Sequence, residues 1–263
     1  MLKVKAKKFL GQHFLLDFDI ARQIADTLDG FPDLPIIEVG PGTGVLTRFL
    51  LEKNRPLKAI ELDRESIPYL KRHYPELGNN IIEGDFLKMD LDKIYLDQFC
   101  VIGNYPYNIS SQIFFKILDY KDRIPCCAGM LQKEVAERIA APPGGKTYGI
   151  LSVFLQAWYD AEYLFSVDAT AFEPVPKVKS GVIRLVRNKR ESLGCDVELF
   201  RRIVKTTFSQ RRKVLRNSMK YFLGKDNEIY SDKIFDERPE RLSVDDFIKL
   251  TLMTEKYRPE GFV

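Results

Sequence analysis

The sequence predicts an α/β fold: a mostly parallel, doubly wound sheet followed by a small helical domain. Three observations predict it. Short apolar runs alternate with amphipathic segments from about residue 20 to residue 185, as strands and covering helices do in β-α-β units. The first of these runs leads directly into a glycine-rich turn, Gly40-Pro41-Gly42-Thr43-Gly44. From about Glu191 the pattern becomes helical with loops. The 263 residues suffice for a medium domain plus a small one. A composition of 45% hydrophobic and 30% charged residues is that of a chain that buries a real core.

Taken in order, Pro35-Ile36-Ile37-Glu38-Val39 reads as a buried strand and Val45 to Lys53 as the helix after the glycine turn. Pro56 to Leu62 is a second strand and Ser66 to His73 a second helix. Asn80 to Glu83 and Phe99 to Gly103 are further strands, and Ile109 to Leu118 and Glu134 to Ala140 further helices. The polar, turn-prone stretch from Arg187 to Gly194 marks a linker. The expected domains are therefore residues 1–188 and 189–263.

No run approaches the roughly 20 apolar residues that a membrane span needs. The basic start, Met1 to Lys8, leads into no apolar core or small-residue cleavage site, so a cytoplasmic protein is expected. The four cysteines, Cys100, Cys126, Cys127 and Cys195, contain no C-x-x-C pair, and there are only two histidines. Neither a zinc site nor a disulfide framework is suggested. The net charge of +4 is unevenly spread. From Arg184 onward there are 19 Lys/Arg against 13 Asp/Glu, whereas the first 183 residues carry 22 against 24. Lys3, Lys5, Lys7 and Lys8 add a basic start, which offers a second polyanion contact or a mobile arm. Such asymmetry points to a polyanionic partner, nucleic acid first.

The glycine turn suits a ligand that lies directly against the backbone. Twenty-one residues after Gly40, Glu61 ends the second strand, where a carboxylate can accept from both hydroxyls of an adenosine ribose. The spacing is G-x-G-x-G, not the G-x-G-x-x-G of dinucleotide enzymes, and Asp85 stands at the next strand end. Together these favour S-adenosylmethionine, with Asp85 accepting from its adenine amine.

After the fourth candidate strand comes Asn104-Tyr105-Pro106-Tyr107, at the carboxyl edge where clefts of parallel sheets open. This motif suits methylation of an adenine N6 amine, whose lone pair is delocalised into the ring. The Asn104 amide oxygen and a backbone carbonyl near Tyr105-Pro106 can accept its two N–H bonds and concentrate the lone pair. Tyr107 can stack on the base. Catalysis then rests on proximity and electrostatics, with no covalent intermediate.

These motifs resemble the small-subunit (16S) ribosomal RNA adenine N6,N6-dimethyltransferase family, over nearly the whole chain. The resemblance begins with Lys7-Lys8-Phe9-Leu10-Gly11-Gln12-His13-Phe14-Leu15 and takes in the glycine loop, Glu61, Asp85 and the Asn104 motif. It continues through Ala171 to Ser180, Phe208 to Lys213 and Arg238 to Ser243. It implies a Rossmann-like S-adenosylmethionine-dependent methyltransferase domain and a C-terminal RNA-binding domain. It implies that His13, Leu15, Gly40, Glu61, Asp85 and Asn104 touch S-adenosylmethionine, and that Asn104, Pro106, Tyr107 and Phe172 form the catalytic site. Phe172 would face Tyr107 across the target base, although taken alone a Phe is most often a core aromatic. The expected partners are the small ribosomal subunit and its 16S RNA, with no metal and no membrane, and the enzyme is expected to be a monomer. Position 13 is usually Asn in that family and position 105 usually Leu or Ile. Resistance-type 23S RNA methyltransferases and non-catalytic nucleic-acid-binding factors share the fold. The C-terminal motifs speak against the first, and intact Asn104, Pro106 and Tyr107 against the second.

For RNA, the candidates are Arg212, Lys213, Arg216 and Lys220. Arg201, Lys205, Arg212, Arg216 and Lys220 share one helical face if the segment is continuous. If Ser209 caps a new helix, Arg212, Arg216 and Lys220 still do so at i, i+4, i+8. Val204, Phe208, Leu215, Met219 and Phe222 form the adjoining apolar stripe.

Overall fold

The structure, a computed structural model, describes residues 4–259; Lys3 lies outside them. The chain divides into two compact units. One runs up to Glu137 and resumes over Asp160–Arg187. The other comprises Arg138–Tyr159 and the chain from Asn188 onward. The division near residue 188 was expected from the polar linker; the grouping of 138–159 with the second unit was not. Its cause is aromatic packing. Tyr148 packs on Phe208 with centroids 6.2 Å apart, and Phe154 on Phe200 at 6.3 Å.

The elements follow in order as β1 (Phe14–Leu15), α1 (Phe18–Asp26), β2 (Ile36–Val39), α2 (Val45–Glu52), β3 (Leu57–Glu61), α3 (Ser66–His73) and β4 (Ile81–Glu83). Then come β5 (Cys100–Asn104), α4 (Ser110–Asp119), β6 (Cys126–Gln132), α5 (Lys133–Ala140), α6 (Ile150–Gln156), β7 (Tyr159–Val167), β8 (Phe172–Glu173) and β9 (Ser180–Arg187). Seven strands make one sheet in the order β4-β3-β2-β5-β6-β9-β7. The strands from β4 to β6 are parallel, and β9 is antiparallel to β6. All of β2 is buried, and Ile36, Ala59, Cys100, Ile102 and Ala128 are 0% exposed in the core, as strands covered on both faces require. Chain order reverses between β2 and β5, which have β3 and β6 on their far sides. At such a switch point the strands' carboxyl ends open a crevice.

Strand β6, Cys-Cys-Ala-Gly-Met-Leu-Gln, has no β-branched residue and so carries little local strand signal. Its small residues serve packing. A Cβ on Gly129 would lie 2.3 Å from the Gly103 carbonyl and 2.6 Å from the Tyr105 ring. Gly129 thereby makes room for Tyr105, which is 1% exposed and donates its hydroxyl to the Ala128 carbonyl at 2.8 Å. The Tyr at position 105 thus turns its side chain into the core.

In the second unit, α7 (Val197–Ser209), α8 (Leu215–Ser218), α9 (Lys220–Leu223) and α10 (Val244–Tyr257) surround a core that includes Val204, Leu215, Met219 and Phe222. Asp196 caps α7 by accepting from Glu198 N and Leu199 N. Ser243, the end of the Arg238-to-Ser243 motif, forms a capping box with Asp246 at the start of α10. The expected basic stripe is corrected. Helix α7 stops at Ser209, whose hydroxyl donates to the Thr206 carbonyl at 2.7 Å and caps nothing downstream. Lys213 N bonds Gln210 O in a turn, and Leu215 N is taken by Glu237 O, both at 2.8 Å. Arg212 therefore lies in a turn, while Arg216 and Lys220 lie on separate one-turn helices.

Candidate active site

The crevice at the strand ends is a cavity lined by His13, Leu15, Gly40, Glu61, Asp85, Asn104, Pro106 and Tyr107. Its floor is the turn after β2. Gly42 has φ +56°, and a Cβ there would lie 2.9 Å from the Phe14 ring. Gly44 has φ +80°, and a Cβ there would lie 2.1 Å from the Tyr74 ring. Both positions need glycine, for backbone conformation and for space.

Glu61, at the end of β3, is 4% exposed. Its Oε2 accepts from Gly42 N at 2.9 Å and its Oε1 from Asp63 N at 2.7 Å. Burial pushes its carboxyl above the ordinary range, while these backbone donors pull the other way. Each oxygen keeps a further lone pair for a ligand hydroxyl. Asp85 lies half-buried beyond β4 and accepts from Leu87 N at 3.0 Å.

Two contributors escaped the sequence reading. Glu38 lines the cavity beside the glycine turn and is 1% exposed. Thr47 donates to its Oε2 at 2.7 Å. Burial pushes its carboxyl up to about 8; Thr47 opposes this and the Glu61 charge adds to it. Glu38 sits inside the quoted glycine motif, so its position was visible but its burial was not. The second is an anchor for the N-terminal segment. Lys7 Nζ pairs with Asp63 Oδ1 at 2.5 Å, Gln12 Nε2 donates to Asp63 Oδ2 at 3.2 Å, and Lys7 N donates to Gln12 Oε1 at 2.8 Å. Burial opposes ionisation of Asp63, yet Lys7 and the other donors hold its carboxyl below the usual range. Lys7 is thus tied to the crevice wall and is not a free arm.

Asn104 ends β5. Its Nδ2 donates to the His13 carbonyl at 2.9 Å. A carbonyl only accepts, so this bond fixes which end of the amide faces away, leaving Oδ1 as a free-standing acceptor. Tyr107 shares a hydrogen bond with Ser180 Oγ at the start of β9. Burial raises its phenol and Ser180 opposes that. Its ring stacks on the His13 imidazole, with centroids 5.2 Å apart and planes at 29°. Phe172 is not among the cavity's lining residues. It is 1% exposed in the core, opposite Leu15 in the two-stranded β1–β8 ribbon. The expectation that it faces Tyr107 is corrected: strand pairing turns it inward.

In the second unit, Arg212, Lys213 and Lys220 are exposed, and Arg216 pairs with Asp236 at 2.6 Å. No helix among the described residues is long and apolar enough to cross a membrane.

Comparisons with known proteins agree with this arrangement. The chain is 64% identical over 257 residues to a ribosomal RNA small subunit methyltransferase A of Parabacteroides distasonis, covering 98% of this chain and 97% of that one. It is 54% identical to the protein of the same name from Flavobacterium johnsoniae, covering 97% and 98%. Among solved structures, a dimethyladenosine transferase from Plasmodium falciparum superposes with TM-score 0.79 at 25% identity, covering 93% of this chain and 98% of that one. The 23S rRNA methyltransferase ErmE gives TM-score 0.67 at 26% identity, covering 90% and 99%. The sequence model of one family, ribosomal RNA adenine dimethylase, matches residues 3–256. A match spanning both units, on the fold of solved adenine methyltransferases, means that this chain belongs to the ribosomal RNA adenine dimethylase family.

Proposed function

We propose that the chain dimethylates the N6 amines of two adjacent adenosines in a hairpin loop near the 3′ end of 16S ribosomal RNA, as a step in small-subunit maturation. The observation that carries this reading is the Asn104 amide, held by His13 so that its oxygen is an acceptor beside Tyr107.

The cavity fits S-adenosylmethionine. The glycine turn excludes side chains, and the buried Glu61 carboxylate retains acceptor capacity for a ribose. Gly40, Glu61, Asp85, Leu15 and His13 would hold the cofactor, which supplies an electrophilic methyl group on a sulfonium. Asn104 Oδ1 accepts one N–H of the target amine, and a backbone carbonyl near Pro106 accepts the other. Both bonds strengthen as the nitrogen becomes tetrahedral, so they favour the transition state over the ground state. Tyr107 carries the flipped base on its face.

Arg212, Lys213, Arg216 and Lys220 would make phosphate contacts, which set position without reading sequence. The relatives named for the small subunit are 54% to 64% identical, against 26% for the large-subunit enzyme, which favours a small-subunit substrate.

The test is labelled methyl transfer from S-adenosylmethionine to small-subunit particles lacking the modification, followed by mapping of the label. N6,N6-dimethyladenosine at two adjacent positions of 16S RNA is expected. Label confined to 23S RNA, or no transfer, would refute the assignment.

A further inference from the structure

We propose that His13 supplies the second face of the base slot, opposite Tyr107; this rests on the reading of Tyr107 as the stacking surface for the target adenine. A flipped base held on one side can slide across that face. A second ring removes this freedom. Phe172 cannot be that ring here, because it is buried opposite Leu15. The ring that faces Tyr107 is the His13 imidazole, 5.2 Å away and inclined by 29°.

His13 is held from two sides. Its Nδ1 lies 2.7 Å from the Pro174 carbonyl. That oxygen only accepts, so Nδ1 carries the proton and the ring plane is set. Its own carbonyl accepts from Asn104 Nδ2 at 2.9 Å. The amide meant to receive the target amine therefore also anchors the residue that covers the base. Amine acceptor and stacking face move as one group.

The slot is closed in this structure. At about 3.4 Å per stacked layer, a base between two rings needs roughly 7 Å between their centroids. Admitting adenine must part His13 from Tyr107 by about 2 Å. Tyr107 is pinned by Ser180 in the central sheet, whereas His13 precedes β1 in irregular chain. His13 is the side that yields, and it closes again over the base.

The test uses fluorescence of 2-aminopurine at the target position of a reconstituted small-subunit particle, with S-adenosylhomocysteine saturating. Stacking quenches the probe, and no methyl transfer is needed to see it. Wild-type protein should quench. Tyr107→Ala should lose quenching, which tests the underlying slot. His13→Ala should lower slot occupancy on the order of tenfold at unchanged particle affinity, and His13→Phe should restore it. The restoration separates stacking from a merely structural role. Full quenching by His13→Ala while Tyr107→Ala fails would overturn the proposal. So would loss of quenching in Phe172→Leu but not in His13→Ala. Full quenching by Tyr107→Ala would remove the slot itself, and the proposal with it.

Discussion

Asn104 and His13 are 91 residues apart in sequence and joined by one hydrogen bond, from the Asn104 amide to the His13 carbonyl at 2.9 Å. The bond ties the end of β5 to the N-terminal segment, which Lys7 and Gln12 hold against Asp63. One amide thereby closes the crevice on one side and presents an oriented oxygen on the other.

Replacing Asn104 by Ala removes that oxygen and the tie together. With cofactor and RNA both saturating, single-turnover methyl transfer should fall on the order of a hundredfold or more. Particle affinity should barely change, because phosphate contacts dominate it. A near-normal rate would mean that another group activates the amine.

The sheet was legible because its signals are local. Pro35 to Val39 and Pro56 to Leu62 are apolar runs, and β2 and β3 lie within them. The Asn104 motif likewise announces itself by following such a run. What escaped depends on distant partners. Phe172 turns inward because a two-residue strand pairs with Leu15, and two residues carry no periodicity to read. The Arg212–Lys220 stripe fails because Glu237 captures the Leu215 N–H from another segment. Residues 138–159 join the second unit through Tyr148 and Phe154, whose partners Phe208 and Phe200 lie beyond β9.

Glu61→Ala should weaken S-adenosylmethionine binding by about 1–3 kcal/mol, the cost of leaving buried polar partners unmatched. Calorimetry on the folded variant measures this. Unchanged affinity would place the ribose elsewhere.

Arg212, Lys213 and Lys220 are exposed and have no continuous helix to align them. If they meet phosphates, reversing their charge should weaken binding to small-subunit particles and flatten its dependence on salt. Cofactor affinity should be unaltered. An unchanged salt slope in the triple variant would assign the RNA surface to other residues.

Glu38 makes the pH prediction. Its carboxyl is pushed up to about 8 from an ordinary value of 4.5, chiefly by burial. Between those values the folded protein holds a proton that the unfolded chain has released. The stability contributed by neutral Glu38 is therefore fully present below 4.5 and is lost as pH rises through about 8. Glu38→Gln keeps an acceptor for Thr47 and abolishes the titration. Urea midpoints of wild type should fall relative to the variant across that window, and parallel curves would show that Glu38 does not titrate there. The same carboxyl lines the cavity, so a ligand with an additional positive charge should favour its ionised form. Binding of the sulfonium S-adenosylmethionine should expel more protons than binding of the neutral thioether S-adenosylhomocysteine. Calorimetry in two buffers of different ionisation enthalpy reads the difference, and Glu38→Gln should erase it. An equal proton count for both ligands in wild type would show that the sulfonium charge is not felt at Glu38.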